Sequence, residues 1–159
     1  MIYKALSTLD NMQGNTNKVV VLCYHAIDIN ARFSTKYSEF EKQIEYISKT
    51  HKAISLSELV KKIQKNNLTE NYFVVTFDDG YKSVMKASKF LKRNKISATL
   101  SLISNIDNAK NTQPDKFLSK EDLKKLKSDG WEFASHSSTH RVLTELNNKE
   151  LETELSTSK

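Results

Sequence analysis

Tyr72-Phe73-Val74-Val75-Thr76-Phe77 is a run of six residues, almost wholly apolar or β-branched, that ends abruptly in Asp78-Asp79-Gly80-Tyr81. A run of this length and composition reads as a buried strand, because β-branched and aromatic side chains suit a pleated surface packed on both faces. Gly80 and Tyr81 then turn the chain into a helical pattern that reaches about Asn94, with Val84, Ala87, Ser88 and Leu91 on its inward face. Strand, tight turn, helix is the order that decides the fold. Repeated along a chain, it builds a parallel sheet with helices packed against it.

The order does repeat on both sides of this stretch. Upstream, Lys18 to Tyr24 is a second short β-branched run, and Ser38 to Thr50 carries Phe40, Ile44 and Ile47 at helical spacing behind a capping-box pair, Ser38 and Glu41. Ala53 to Leu56 is a short strand candidate, followed by a helix over Ser57 to Asn66 with Leu59, Val60 and Ile63 on one face. Downstream, Ser97 to Ile103 reads as a strand, and a loop from Ser104 to about Lys116 holds the only proline, Pro114. A helix over Ser119 to Asp129 is capped by Ser119 and Asp122 and stopped by Gly130. Trp131 to Ser135 is the next strand, and a last helix begins at Asn147 with Leu151 and Leu155 docked. Residues 1–17 are a polar, Asn-rich lead-in. The predicted class is α/β, either an open parallel sheet or a partial (β/α) barrel of parallel strands with outer helices.

Composition narrows the function classes. The chain has 159 residues, 38% of them hydrophobic and 28% charged, which fits one domain with a real core. Its longest apolar run, Val19 to Cys23, is too short to cross a bilayer, so no transmembrane segment is expected. Met1 to Asn17 lacks the apolar core of an export signal. Cys23 is the single cysteine, so no internal disulfide is possible. The net charge is +6, but 22 of the 25 basic residues are Lys and only Arg32, Arg93 and Arg141 offer the bidentate fork that base readers favour. Specific nucleic-acid recognition is therefore not expected.

In parallel α/β folds chemistry sits at the C-terminal ends of the strands. There the sequence puts His25, the pair Asp78-Asp79, His136 and His140; His51 lies apart, at a helix end where a solvated role is expected. Asp-Asp-Gly is ordinary turn chemistry, and Asp79 could cap the next helix. Its functional reading gives the two carboxylates different jobs, one holding a cation and the other taking a proton from water. His136 and His140 are four apart and can share a metal, or can be two unrelated surface histidines. His25 is either structural or an acid suited to neutral pH.

Together these residues resemble the polysaccharide deacetylase family, the NodB-homology domain of carbohydrate esterase family four. Val75 to Tyr81 looks like the family's first motif, and Gly130 to His140 looks like its second; Ser97-Ala98-Thr99-Leu100 lies where members carry an Ala-Thr-Phe-Phe type strand. The opening Val21-Leu22-Cys23-Tyr24-His25 is similar to one branch, the deacetylases of poly-β-1,6-N-acetylglucosamine. The resemblance implies a NodB-like fold over 18–159. It implies Asp78 as catalytic base, His25 as catalytic acid, and Asp79, His136 and His140 as ligands of a divalent metal, Zn²⁺ first, with Co²⁺, Ni²⁺ or Fe²⁺ also fitting. Tyr81 falls on the substrate side, with a backbone N–H near it for the oxyanion. The implied partner is an N-acetylglucosamine-containing polysaccharide, and the implied location is extracellular or at the cell surface. Two departures stand out. The chain ends before the family's last units, so a truncated remnant that keeps metal or glycan binding is the alternative to an active enzyme. Leu118-Ser119-Lys120 occupies a region where some relatives carry Trp.

Overall fold

In a computed structural model of the chain, residues 18–106 and 116–159 are described. The lead-in over 1–17 and the loop around Pro114 lie outside them. The elements, in chain order, are β1 Val19–Tyr24, β2 Ala26–Ile27, β3 Ser34–Thr35, α1 Tyr37–Ile47, β4 Lys52–Ala53, α2 Leu56–Gln64, β5 Tyr72–Phe77, α3 Met85–Arg93, β6 Ala98–Leu102, α4 Lys120–Ser128, β7 Glu132–Ser135 and α5 Asn148–Ser156. A single 3₁₀ turn, Lys82–Val84, leads into α3.

β5 is the spine of the sheet. The strand path is β1-β5-β6-β7, with β4 also paired to β5. Every one of these pairings is parallel, and β1 runs beside β5 from Val19 opposite Tyr72 to Tyr24 opposite Phe77. This is the parallel α/β fold the sequence predicts. β1 and β7 end the path, so no barrel closes among the described residues. β2 and β3 form a separate two-stranded pair that the sequence reading does not include.

Alternation along β5 splits the core in two. Phe73, Val75 and Phe77 face α1 and α3, where they pack with Phe40, Ile44, Phe90 and Leu91. Tyr72 and Val74 face the other way, onto Ile54 and Leu59. Tyr24, Phe40 and Phe77 meet ring to ring, with Tyr24 5.0 Å edge-on to Phe40 and Trp131 5.2 Å from Phe77. Burying each such side chain contributes about 1.5–3 kcal/mol over leaving it exposed. The result is a rigid floor under the strand ends.

The structure corrects several local expectations. The Ser38/Glu41 capping box does not form: α1 starts earlier, behind Lys36 with no side-chain cap, and Asp28 takes the Tyr37 N–H instead at 2.9 Å. The strand expected over Ala53 to Leu56 is only Lys52–Ala53, because Ser55 caps α2 by accepting the Glu58 N–H. On α2 only Leu59 is buried, while Val60 is 45% and Ile63 56% exposed. Leu155 on α5 is 43% exposed, and the residue α5 buries is Glu154. The Ser119/Asp122 capping box forms as predicted, and Asn147 with Glu150 forms another on α5.

Candidate active site

The site is built at the C-terminal ends of β1, β5 and β7. The Asp78 N–H donates to the Tyr24 carbonyl at 2.9 Å, which locks the ends of β5 and β1 together and brings His25 to the Asp78 side. The chain then reverses within three residues. Gly80 N–H bonds back to the Asp78 carbonyl at 2.9 Å across Asp79, which sits at φ 70, with Gly80 itself at φ 91. Left-handed backbone at a non-glycine residue is costly and persists where surroundings enforce it. Here it aims the Asp79 carboxylate across the sheet towards β7.

His136 and His140 meet it there. The His136 N–H bonds to the Leu102 carbonyl at 2.9 Å, so β7 holds to β6 one residue past its end. The following loop tightens through Ser137 at φ 64 and His140 at φ 58, and the His140 N–H bonds to Ser137 Oγ at 3.2 Å. The two imidazoles come to 4.9 Å apart. Asp79 Oδ1 lies 3.3 Å from His136 Nε2 and 3.4 Å from His140 Nε2.

These distances are a test of metal fit. Asp79 Oδ1 is buried and accepts no hydrogen bond, despite two ring nitrogens beside it. An unsatisfied buried carboxylate oxygen is expensive unless something else completes it. A tetrahedral ion with ligands at 2.0–2.1 Å holds its donors about 3.3–3.4 Å apart. Asp79 Oδ1 therefore stands from each imidazole nitrogen at the spacing of two ligands around one small cation. A set of two imidazoles and one carboxylate suits Zn²⁺ and its borderline neighbours. Burial pushes the Asp79 pKa up, but His136, His140 and His25 outweigh it and hold the carboxyl below its ordinary range. The Asp79 carboxylate in turn raises His136.

Around this set the remaining predicted residues fall as follows. A carboxylate oxygen of Asp78, a ring nitrogen of His25 and Cys23 Sγ lie within 4.8 Å of one another. The Cys23 thiol donates to Asp78 Oδ2 at 3.1 Å. Partial desolvation of the sulfur and the Asp78 carboxylate both raise the thiol pKa above its ordinary value. The Tyr81 ring stacks on Phe117 at 4.9 Å, and the two residues form a backbone bridge. His25 packs 5.1 Å from the exposed ring of Phe33, over which Arg32 sits at 4.8 Å. His51 stays apart, as expected, but it is not simply solvated: its Nε2 is buried without a partner, and burial lowers its pKa.

Sequence reading misses two residues at this site. In the sequence Cys23 stands out only as part of the Val21 to His25 stretch and as a cysteine without a disulfide partner. Glu154 lies between Leu151 and Leu155 in the helical pattern, yet its carboxylate accepts the Thr139 N–H and hydroxyl, and its carbonyl accepts the Ser138 N–H. It fixes the loop that carries both imidazoles. The one signal available was its position on the face of α5 expected to be apolar.

Comparison with known proteins agrees with this architecture. The profile of the polysaccharide deacetylase family matches residues 65–159. The chain belongs to that family. Among solved structures it is similar to the Streptococcus pyogenes deacetylase PplD determined in complex with acetate, at 24% identity and TM-score 0.75 over 89% of this chain and 66% of that one. It is similar to IcaB from Ammonifex degensii, at 23% identity and TM-score 0.68 over 85% of this chain and 58% of that one. A polysaccharide deacetylase from Bacillus cereus matches at 30% identity and TM-score 0.71 over 90% of this chain and 46% of that one. The chain thus spans between about half and two thirds of these proteins' lengths. No curated protein matches it. Among the described residues no helix is long and apolar enough to cross a membrane.

Proposed function

We propose that residues 18–159 form a metal-dependent deacetylase domain that hydrolyses the N-acetyl group of N-acetylglucosamine units in a polysaccharide. The observation that carries the reading is the meeting of Asp79 Oδ1 with both imidazole Nε2 atoms at 3.3 and 3.4 Å, with Asp78 and His25 beside them. Asp79, His136 and His140 would hold the ion. A divalent cation supplies Lewis acidity there, polarising the acetyl carbonyl and making a neighbouring water more acidic. Asp78 takes the proton of the attacking water, and the nearby Tyr81 segment lines the side where the oxyanion develops. His25 gives its proton to the departing amine as the carbon–nitrogen bond breaks. Acetate and a free glucosamine amine result. Membership of the polysaccharide deacetylase family, with 30% identity to a polysaccharide deacetylase from Bacillus cereus, supports a glycan substrate and the removal of an acetyl group. The poly-β-1,6-linked polymer is the substrate the Val21 to His25 segment favours.

The test separates chemistry from metal retention. Asp78→Asn is expected to abolish acetate release from an N-acetylglucosamine oligomer while zinc stays bound. His140→Ala is expected to lower zinc affinity, with His51→Ala as the unaffected control. Equal loss of zinc in Asp78→Asn would reverse the two aspartates. Zinc binding in the unsubstituted chain without any acetate release would favour a domain that binds metal without catalysing the reaction.

A further inference from the structure

Beside the Asp79 set, a second set of three donors stands unassigned. Cys23 Sγ, a His25 ring nitrogen and an Asp78 carboxylate oxygen lie within 4.8 Å of one another. They are brought together by the backbone, since the β1 and β5 ends are tied by the Asp78 N–H to Tyr24 carbonyl bond. We propose that Cys23, His25 and Asp78 form a second, thiophilic cation site, which takes Cd²⁺ or excess Zn²⁺ and, when filled, inhibits the enzyme.

Three features of the molecule support this. Cys23 is exposed rather than packed as a small apolar side chain, although it lies on a strand. Its sulfur is aimed at the site, 3.1 Å from Asp78 Oδ2. The donor set differs in kind from its neighbour: a thiolate, an imidazole and a carboxylate form a softer set than two imidazoles and a carboxylate. Cadmium should therefore discriminate between the two. On binding, the Cys23 S–H bond breaks, a sulfur–metal bond forms and the proton passes to solvent; the neutral imidazole and the carboxylate donate lone pairs. The inhibitory consequence rests on the roles proposed for Asp78 and His25, because the same atoms can no longer move protons. Cation binding itself does not rest on them.

Cadmium titration of the full chain tests the site without turnover. Two equivalents are expected, one of them with the ultraviolet charge-transfer band of a cadmium–thiolate bond. Cys23→Ser should erase the band and weaken that equivalent by at least the roughly 10–100-fold that loss of an outer contact costs, leaving the other in place. His140→Ala should do the reverse, weakening the sulfur-free equivalent and keeping the band. Asp78→Asn should weaken the same equivalent as Cys23→Ser, and it carries the test if the serine variant does not fold. Absence of the band in the unsubstituted chain overturns the proposal. So does a single equivalent whose band disappears in His140→Ala, which would put the sulfur on the first site. A chain that released no acetate would count against the proposed function and the inhibitory consequence, but would leave the thiophilic cation site itself intact.

Discussion

Asp79 and Gly80 show how much the site depends on two backbone dihedrals. Both lie in the left-handed region, and a Cβ built on Gly80 would come to 2.8 Å from Leu102 Cδ2. Gly130 has nearly the same dihedral, φ 89, but a Cβ there would meet nothing within 4 Å. Alanine at either position forces a side chain into a conformation costing about 1–3 kcal/mol. Only at Gly80 does a contact add to it, and only there does the adjustment move a proposed ligand. Urea unfolding should therefore give a lower midpoint for Gly80→Ala than for Gly130→Ala, and zinc titration should show weakened binding in the first alone. Equal zinc affinity in the two variants would mean the Asp79 turn tolerates displacement. At this scale the sequence is informative where chemistry needs rare residues in order, as with Asp78, Asp79, His136 and His140. It is silent on Cys23, because nothing in a strand pattern says which face the thiol takes or that Asp78 waits 3.1 Å from it.

At the scale of elements, α5 is a positioning device more than an apolar one. Its buried residue is Glu154, whose carboxylate receives both donors of Thr139 in the loop between the two imidazoles. Burial raises the pKa of Glu154, but the Thr139 donors outweigh it and keep the carboxyl below its ordinary range. Outer contacts that orient ligands typically govern metal affinity by 10–100-fold. Glu154→Ala is thus expected to weaken zinc binding by about that factor, with the far-ultraviolet circular dichroism unchanged, while Glu154→Gln, which keeps an acceptor oxygen, recovers part of the loss. Unchanged zinc affinity in the alanine variant would leave Glu154 a purely structural group. The periodicity of α5 points to Leu155 instead, because a hydrophobic pattern registers transfer free energy and cannot register a charge held by the donors of Thr139. The same blindness accounts for α2, where Val60 and Ile63 share the apolar stripe with Leu59 but stay exposed. β5, by contrast, was legible to the residue, since a strand covered on both faces has no polar alternative.

Over the whole molecule, carboxylates stitch elements together in a chain that is otherwise strongly basic. Asp129 joins α3 to the end of α4 through Lys92 at 2.6 Å and Lys125 at 3.5 Å. Glu132 on β7 receives the Ser57 N–H and hydroxyl from the start of α2, and Thr99 from β6. Glu154 holds α5 to the β7 loop. Lys92 is the largest influence lowering Asp129; Glu132 is raised by burial but lowered further by its Ser and Thr donors, so its net displacement is also downward. A folded-state pKa below the unfolded one means that the folded chain binds fewer protons in that window. The stability these groups contribute is complete above the ordinary carboxylate range near pH 4 and is lost as pH falls through their depressed values. Protonating the 19 acidic residues also leaves 25 basic residues and four histidines unopposed, so self-repulsion adds to the loss. The metal-free protein is expected to lose unfolding free energy steadily from about pH 5 downward, with added salt recovering the repulsive part. Glu132→Gln should start from a lower stability at pH 7 but fall less steeply, because the variant has one fewer displaced proton site. Urea unfolding at half-unit pH intervals reads both slopes, and parallel curves for the two proteins would show that Glu132 carries none of the acid sensitivity.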